Sequence, residues 1–177
     1  MKKIILLLAL ISTFHIKADN LANVKKDLHS GNFDTAITKL KTLSKEKNPE
    51  ALYVLGLMHK NGFFFEKNIL ESFDLLKKSA DLGKSQAQFL IGRMMRNGIG
   101  TEKNDEESLN YFLRAAENGH LQSKAELGWI YSSGIGTEIN PEKSFYWYRI
   151  ASEDGDKESQ YQLGLLYNSG HGTEKDH

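Results

Sequence analysis

The sequence predicts an all-α fold, an α/α solenoid assembled from helix-turn-helix repeats. Three observations predict it. The dipeptides Leu55-Gly56, Ile91-Gly92, Leu127-Gly128 and Leu163-Gly164 follow one another at a fixed step of 36 residues. The same step links Gly62, Gly98, Gly134 and Gly170, and also Gly83, Gly119 and Gly155. Each period has room for two amphipathic helices, and only two prolines occur in 177 residues. A period of this length marks a unit that cannot bury its apolar face alone and gains a core by stacking on its neighbours.

The first 18 residues stand outside this pattern. Met1-Lys2-Lys3 is basic, Ile4 to Phe14 is mostly apolar, and Ala18 offers a small residue for cleavage. That is the order of a secretory signal peptide, and the apolar run is short for a membrane span. Cleavage there removes three lysines and no acid, so 23 acidic residues would face 20 basic ones. The mature chain is expected in the periplasm or outside the cell, with no membrane span left after cleavage.

Residues 19–50 read as a degenerate first repeat, with Leu21 to Ser30 and Asp34 to Lys47 as its helices. Three repeats follow, 51–86, 87–122 and 123–158, and a half-repeat covers 159–177. Within each period, helix A runs for example from Glu50 to about Lys60, with Ala51, Leu55 and Met58 at helical spacing. Helix B begins with capping signals. Asn68 precedes Glu71 and Asn104 precedes Glu107 at the spacing of a capping box, while Asn140 precedes Pro141. It ends at Gly83, Gly119 or Gly155, after the small pairs Ser79-Ala80, Ala115-Ala116 and Ala151-Ser152. Gly56, Gly92, Gly128 and Gly164 fall inside helix A, where glycine costs roughly 1 kcal/mol. Such repetition implies close contact with helix B.

The stretch GIGTEKN at 98–104 resembles a phosphate-binding turn, but it recurs as GIGTEIN at 134–140, as GHGTEKD at 170–176 and, drifted, as GFFFEKN at 62–68. A nucleotide loop occurs once, behind a strand. These glycines are read instead as the residues that let the chain leave a helix in the left-handed conformation.

With these residues in view, segments such as AQFLIGRMMRNGIGTEKNDEESLNYFLRAAENG and ELGWIYSSGIGTEINPEKSFYWYRIASEDG resemble Sel-one-like repeats of the tetratricopeptide-like superfamily. Tyr131 and Tyr167 keep that pattern's first tyrosine, replaced by Met95 and His59 elsewhere. Trp147-Tyr148 keeps its aromatic pair, softened to Tyr111-Phe112 and Leu75-Leu76. The resemblance covers about 51–176. It implies a right-handed superhelix whose concave face, lined by helix A, binds a protein or peptide, and it implies no reaction. Some secreted members carry a cysteine pair per repeat and have been connected with β-lactam or cell-wall compounds. This chain has no cysteine, so that activity is not carried over.

The concave wall is expected to present Tyr53, Leu57 and Lys60, then Phe89, Arg93 and Arg96, then Ala125, Trp129 and Ser132, then Tyr161, Leu165 and Asn168. Arg93 and Trp129 are the strongest partner-binding candidates, because arginine and tryptophan at non-core positions anchor interfaces. Tyr53, Phe89 and Tyr161 are equally well explained as structural aromatics. Phe63, Phe64 and Phe65 either fill a gap beside the irregular first repeat or form an exposed patch.

Other chemistries find little footing. His29, His59 and His120 sit at different repeat positions, so no metal site is expected; His171 and His177 add only a weak tail pair. Ser44-Lys45-Glu46-Lys47 has the Ser-x-x-Lys spacing of penicillin-recognising enzymes, without an accompanying Ser-Asp-Asn or Lys-Thr-Gly. Asp105, Glu106 and Glu107 are consecutive, unlike calcium ligands. Equal numbers of acidic and basic residues give nucleic acid no electrostatic footprint. No cofactor is expected. The sequence thus points to a non-catalytic interaction module, such as an envelope adaptor or an immunity protein against a toxic effector. The alternative is a binder or hydrolase of cell-wall or β-lactam compounds. The last helix A, lacking a following helix B, is an expected site of homodimerisation or of a partner cap.

Overall fold

The computed structural model describes residues 19–169; the expected signal peptide and the last turn copy with His171 and His177 lie outside them. Nine helices and no strand occur among the described residues. They are α1 Asp19–His29, α2 Phe33–Lys45, α3 Pro49–Asn61, α4 Ile69–Asp81, α5 Ser85–Asn97, α6 Asp105–Glu117, α7 Leu121–Ser133, α8 Pro141–Glu153 and α9 Lys157–Ser169. From α3 onward, odd-numbered helices are helix A and even-numbered ones helix B. The chain divides into two compact units, up to Ser79 and from Ala80.

In the first unit α1 buries Leu21, Val24 and Leu28, and α2 buries Ala36, Leu40 and Leu43, in one cluster with Leu52, Leu55 and Met58 of α3. The degenerate repeat is therefore a full part of a core. The drifted turn joins it. Phe63 is buried, Phe65 stacks on His59 at 4.5 Å, and Phe64 packs against Phe33 at 4.8 Å while staying 42% exposed. The triple phenylalanine is thus mainly a filler against α2 and α3. Phe64 keeps φ +61, the left-handed backbone that Gly100 and Gly136 adopt one and two periods later.

In the second unit sequence-adjacent helices pack from α5 to α9. Leu109, Phe112 and Ala116 of α6 share a core cluster with Leu127, Ile130 and Tyr131 of α7. The glycines of the recurring GIGTE stretch serve the turns. Gly98 and Gly134 cap α5 and α7 at φ +64 and +71, and the next amides, of Ile99 and Ile135, donate to Met94 and Ile130 carbonyls. Gly136 also lies so close to the Asp105 carbonyl that a Cβ would overlap it.

Helix A and helix B meet at the helix-A glycine. A Cβ on Gly56 would stand 2.7 Å from Leu76, on Gly92 3.1 Å from Phe112, and on Gly128 2.6 Å from the Tyr148 ring. That close approach lets Ser108 Oγ donate to the Gly92 carbonyl at 2.7 Å and Ser144 Oγ to the Gly128 carbonyl at 2.8 Å. Ser72 holds the same register without a hydrogen-bond partner.

The helix-B caps correct the expected capping box. Asn68, Asn104 and Asn140 accept from the backbone amides of Glu71, Glu107 and Lys143. The reciprocal half is absent, because the asparagine amides donate instead to His59, Met95 and Tyr131 carbonyls at the end of helix A. Lys143 therefore replaces a glutamate without leaving the Asn140 backbone amide unmet. The helices also stop at Asp81, Glu117 and Glu153, two residues ahead of the glycines expected to end them.

Candidate functional site: a helix-A groove

A groove of about 440 Å³ opens along the helix-A wall of the second unit. Phe89 and Arg93 of α5 form one side. Gln122, Ala125, Glu126 and Trp129 of α7 form the centre, and Glu158 and Gln162 of α9, with Asp156 ahead of them, form the other side. Tyr148 of α8 also contributes to the lining. The helices are held side by side by bonds between residues 30 apart. Arg96 reaches Glu126 with both nitrogens, at 2.6 and 3.4 Å, and Lys124 pairs with Asp154. Asn118 donates to Gln88 at 3.0 Å and Tyr111 to Asp81 at 2.9 Å.

The charges are unevenly spread. Arg96 is occupied by Glu126, and its guanidinium also lies over the Phe112 and Trp129 rings at 5.3 and 5.2 Å. Arg93 is exposed, has no ion pair among the described residues, and lies 5.8 Å from the Phe89 ring. At the opposite side Asp156 caps α9 through the Ser159 amide, and Glu158 accepts from Gln162. The groove thus has a cation at its α5 side and two carboxylates at its α9 side. Burial pushes the Tyr148 hydroxyl pKa up, against a hydrogen bond with Ser132, and the Glu158, Glu126 and Asp156 carboxylates add to the rise. His120, at the N-cap of α7, stacks on Phe89 at 4.6 Å and has its pKa lowered by burial.

The structure brings together Phe89, Arg93, Ala125 and Trp129 in one groove. Tyr161 and Leu165 are 62% and 47% exposed on α9 but do not line the groove. Arg96 belongs chiefly to the clamp between α5 and α7. Tyr53 and Leu57 depart furthest from expectation. They are 8% and 7% exposed and present no surface. A signal for this lies in the sequence: Ala51 to Met58 is apolar on every face, and a helix apolar all round is buried. Gln122, Glu126, Tyr148, Asp156, Glu158 and Gln162 were not expected. The groove crosses the helices obliquely, using the middle of α5 but the first turns of α9, so one register position repeated every 36 residues does not trace it.

Elsewhere, a smaller pocket of about 270 Å³ lies between α1 and α2, lined by Thr38, Thr42 and Leu43 among others. Ser44 Oγ donates to the Lys41 carbonyl of its own helix. Among the described residues no three His, Asp or Glu side chains are grouped to hold a metal ion, and no helix is long and apolar enough to cross a membrane.

The Sel1 repeat model matches residues 49–84, 85–120, 122–156 and 157–177. A Sel1 repeat protein from Oxalobacter formigenes is similar at 32% identity and a TM-score of 0.79, over 90% of this chain and 64% of its own. A protective antigen of uropathogenic Escherichia coli strains, displaying an SLR fold, is 29% identical with a TM-score of 0.76, over 80% of this chain and 30% of its own. Helicobacter pylori cysteine rich protein B shares the fold at 17% identity and a TM-score of 0.56. This chain therefore spans less than two thirds of the length of the first two. No curated protein matches it.

Proposed function

Because the chain belongs to the Sel1 repeat family, whose repeats form protein–protein interaction modules, we propose that it is a non-catalytic envelope protein that captures a protein segment in the α5–α7–α9 groove. The observation that carries this reading is the pair Arg93 and Trp129. Both are exposed, on adjacent helix-A walls of one groove. Aromatic and arginine side chains in such a setting dominate binding energy when a partner desolvates them. The basic and apolar order of residues 1–18 supports a periplasmic or secreted location. A non-catalytic role is supported by the family, whose repeats serve as interaction scaffolds. The role of an envelope adaptor or of an immunity protein suits such a module.

The test is to use residues 19–177 as bait in an envelope extract, beside an Arg93→Ala/Trp129→Ala double variant. One partner retained by the parent and lost by the variant supports the groove. Equal recovery with both baits moves the site away from it. A single stoichiometric effector indicates immunity, and several weakly held envelope proteins indicate an adaptor.

A further inference from the structure

The groove across α5, α7 and α9 is electrically polar from one side to the other. At the α5 side Arg93 is exposed and has no ion pair among the described residues. Arg96, one turn on, is held by Glu126, so those two charges cancel within the α5–α7 clamp. At the α9 side Asp156 and Glu158 each have one carboxylate oxygen hydrogen-bonded within their own first turn, and neither is paired with a cation among the described residues. The N-terminus of α9 offsets them by roughly half a charge, which leaves about −1.5 at that side. Lys157, between them in sequence, is exposed and does not line the groove. Trp129 stands exposed between the two sides, with Ala125 one turn before it. No lining residue lies beyond Gln162.

Resting on that groove as the binding site, we infer that its occupant is an extended protein segment that sets an acidic side chain on α5, an apolar one on α7 and a basic one on α9. Arg93 takes the carboxylate with its two-pronged guanidinium, which no other side chain occupies. The apolar side chain covers the exposed part of Trp129. A lysine or arginine donates to the remaining oxygens of Asp156 and Glu158. A segment with charges of one sign only is repelled at one of its two ends. The two sides are two helix spacings apart, roughly 16–20 Å. An extended chain covers that span in about five to six residues at ~3.3 Å each. Its backbone also brings unpaired amides and carbonyls, which the side-chain amides of Gln122 and Gln162 are placed to meet. A helix satisfies its own backbone and has no such use for them.

The probe is a displayed library of random decapeptides, selected on the protein and in parallel on its Arg93→Glu, Glu158→Lys and Trp129→Ala variants. Sequences enriched on the parent are expected to carry one acidic and one basic residue, about five to six positions apart, with an apolar residue between them. On Arg93→Glu the preference for the acid turns to a base, and on Glu158→Lys the preference for the base is lost. A misfolded variant cannot produce a reversed preference. In a synthetic copy of the most enriched sequence, removing either charge weakens binding by up to about fivefold, the span of an exposed ion pair. Added salt weakens the parent peptide in the same direction. Peptides that bind the parent and are lost on Trp129→Ala, but lack the two opposite charges or keep them unchanged on both charge variants, overturn the charge order and leave the groove reading standing. No enrichment, or enrichment that none of the three variants alters, overturns both.

Discussion

Gly128 illustrates how one missing methyl group sets the helix spacing. Tyr148 is 6% exposed and lies where an alanine Cβ at 128 would stand, so the ring has little room to retreat. Gly128→Ala is expected to overpack the contact by about 1–3 kcal/mol, which outweighs the roughly 1 kcal/mol of helix propensity gained. Gly92→Ala, at 3.1 Å from Phe112, costs less, and Gly164→Ala gains up to about 1 kcal/mol. Urea denaturation of the three variants checks that order. A neutral Gly128→Ala would show that the ring yields. The serines divide in the same way. Ser108→Ala and Ser144→Ala each lose about 1 kcal/mol with their bond to a glycine carbonyl, whereas Ser72→Ala is neutral or stabilising because its buried hydroxyl has no partner.

At the scale of the element, helix B is pinned at its first residue from both sides. The asparagine side chain satisfies an amide of the first turn, and the asparagine amide reaches back to the end of helix A. Asn104→Ala and Asn140→Ala are expected to cost about 1 kcal/mol each. Glu107→Gln should cost only a few tenths, the share of the helix dipole, since the Asn104 backbone amide bonds Met95 and only its side-chain amide reaches Glu107, at 3.5 Å. Equal losses for Asn104→Ala and Glu107→Gln in thermal melts would restore the reciprocal box. The turn glycines and the asparagine caps were legible because each needs a residue type at a fixed offset. The missing reciprocal bond was not, because it depends on a carbonyl nine residues earlier that only folding brings near.

For the molecule as a whole, the groups with shifted titration on the acid side of neutrality are, among the described residues, two histidines. Burial lowers the pKa of His59 and of His120; at His59 Lys41 adds to the fall and Glu71 opposes it. Both therefore take up protons more readily when unfolded. Their contribution is complete above the ordinary histidine pKa of about 6.5 and is lost as pH falls through the lower folded values. Stability should decline below pH about 6.5, and His120→Asn should flatten that decline relative to the parent in urea midpoints taken on both sides of it. A slope unchanged by the variant would assign the decline to other groups.

The sequence by itself determined the repeat, its period of 36 residues, the helix pairs and the places where glycine permits close approach, since all of these follow from local conformational preference and periodic burial. It also singled out Arg93 and Trp129. Tertiary structure decided which wall residues are surface. Leu57 shares its register position with Arg93 and Trp129, and Tyr53 with Phe89 and Ala125, yet both are buried because Ala51 to Met58 is apolar on every face. The oblique groove, with its one free cation among the described residues facing Asp156 and Glu158, also arises only from packing. Its members come from α5, α7, α8 and α9 at different depths along each, and no local pattern records how those helices are offset.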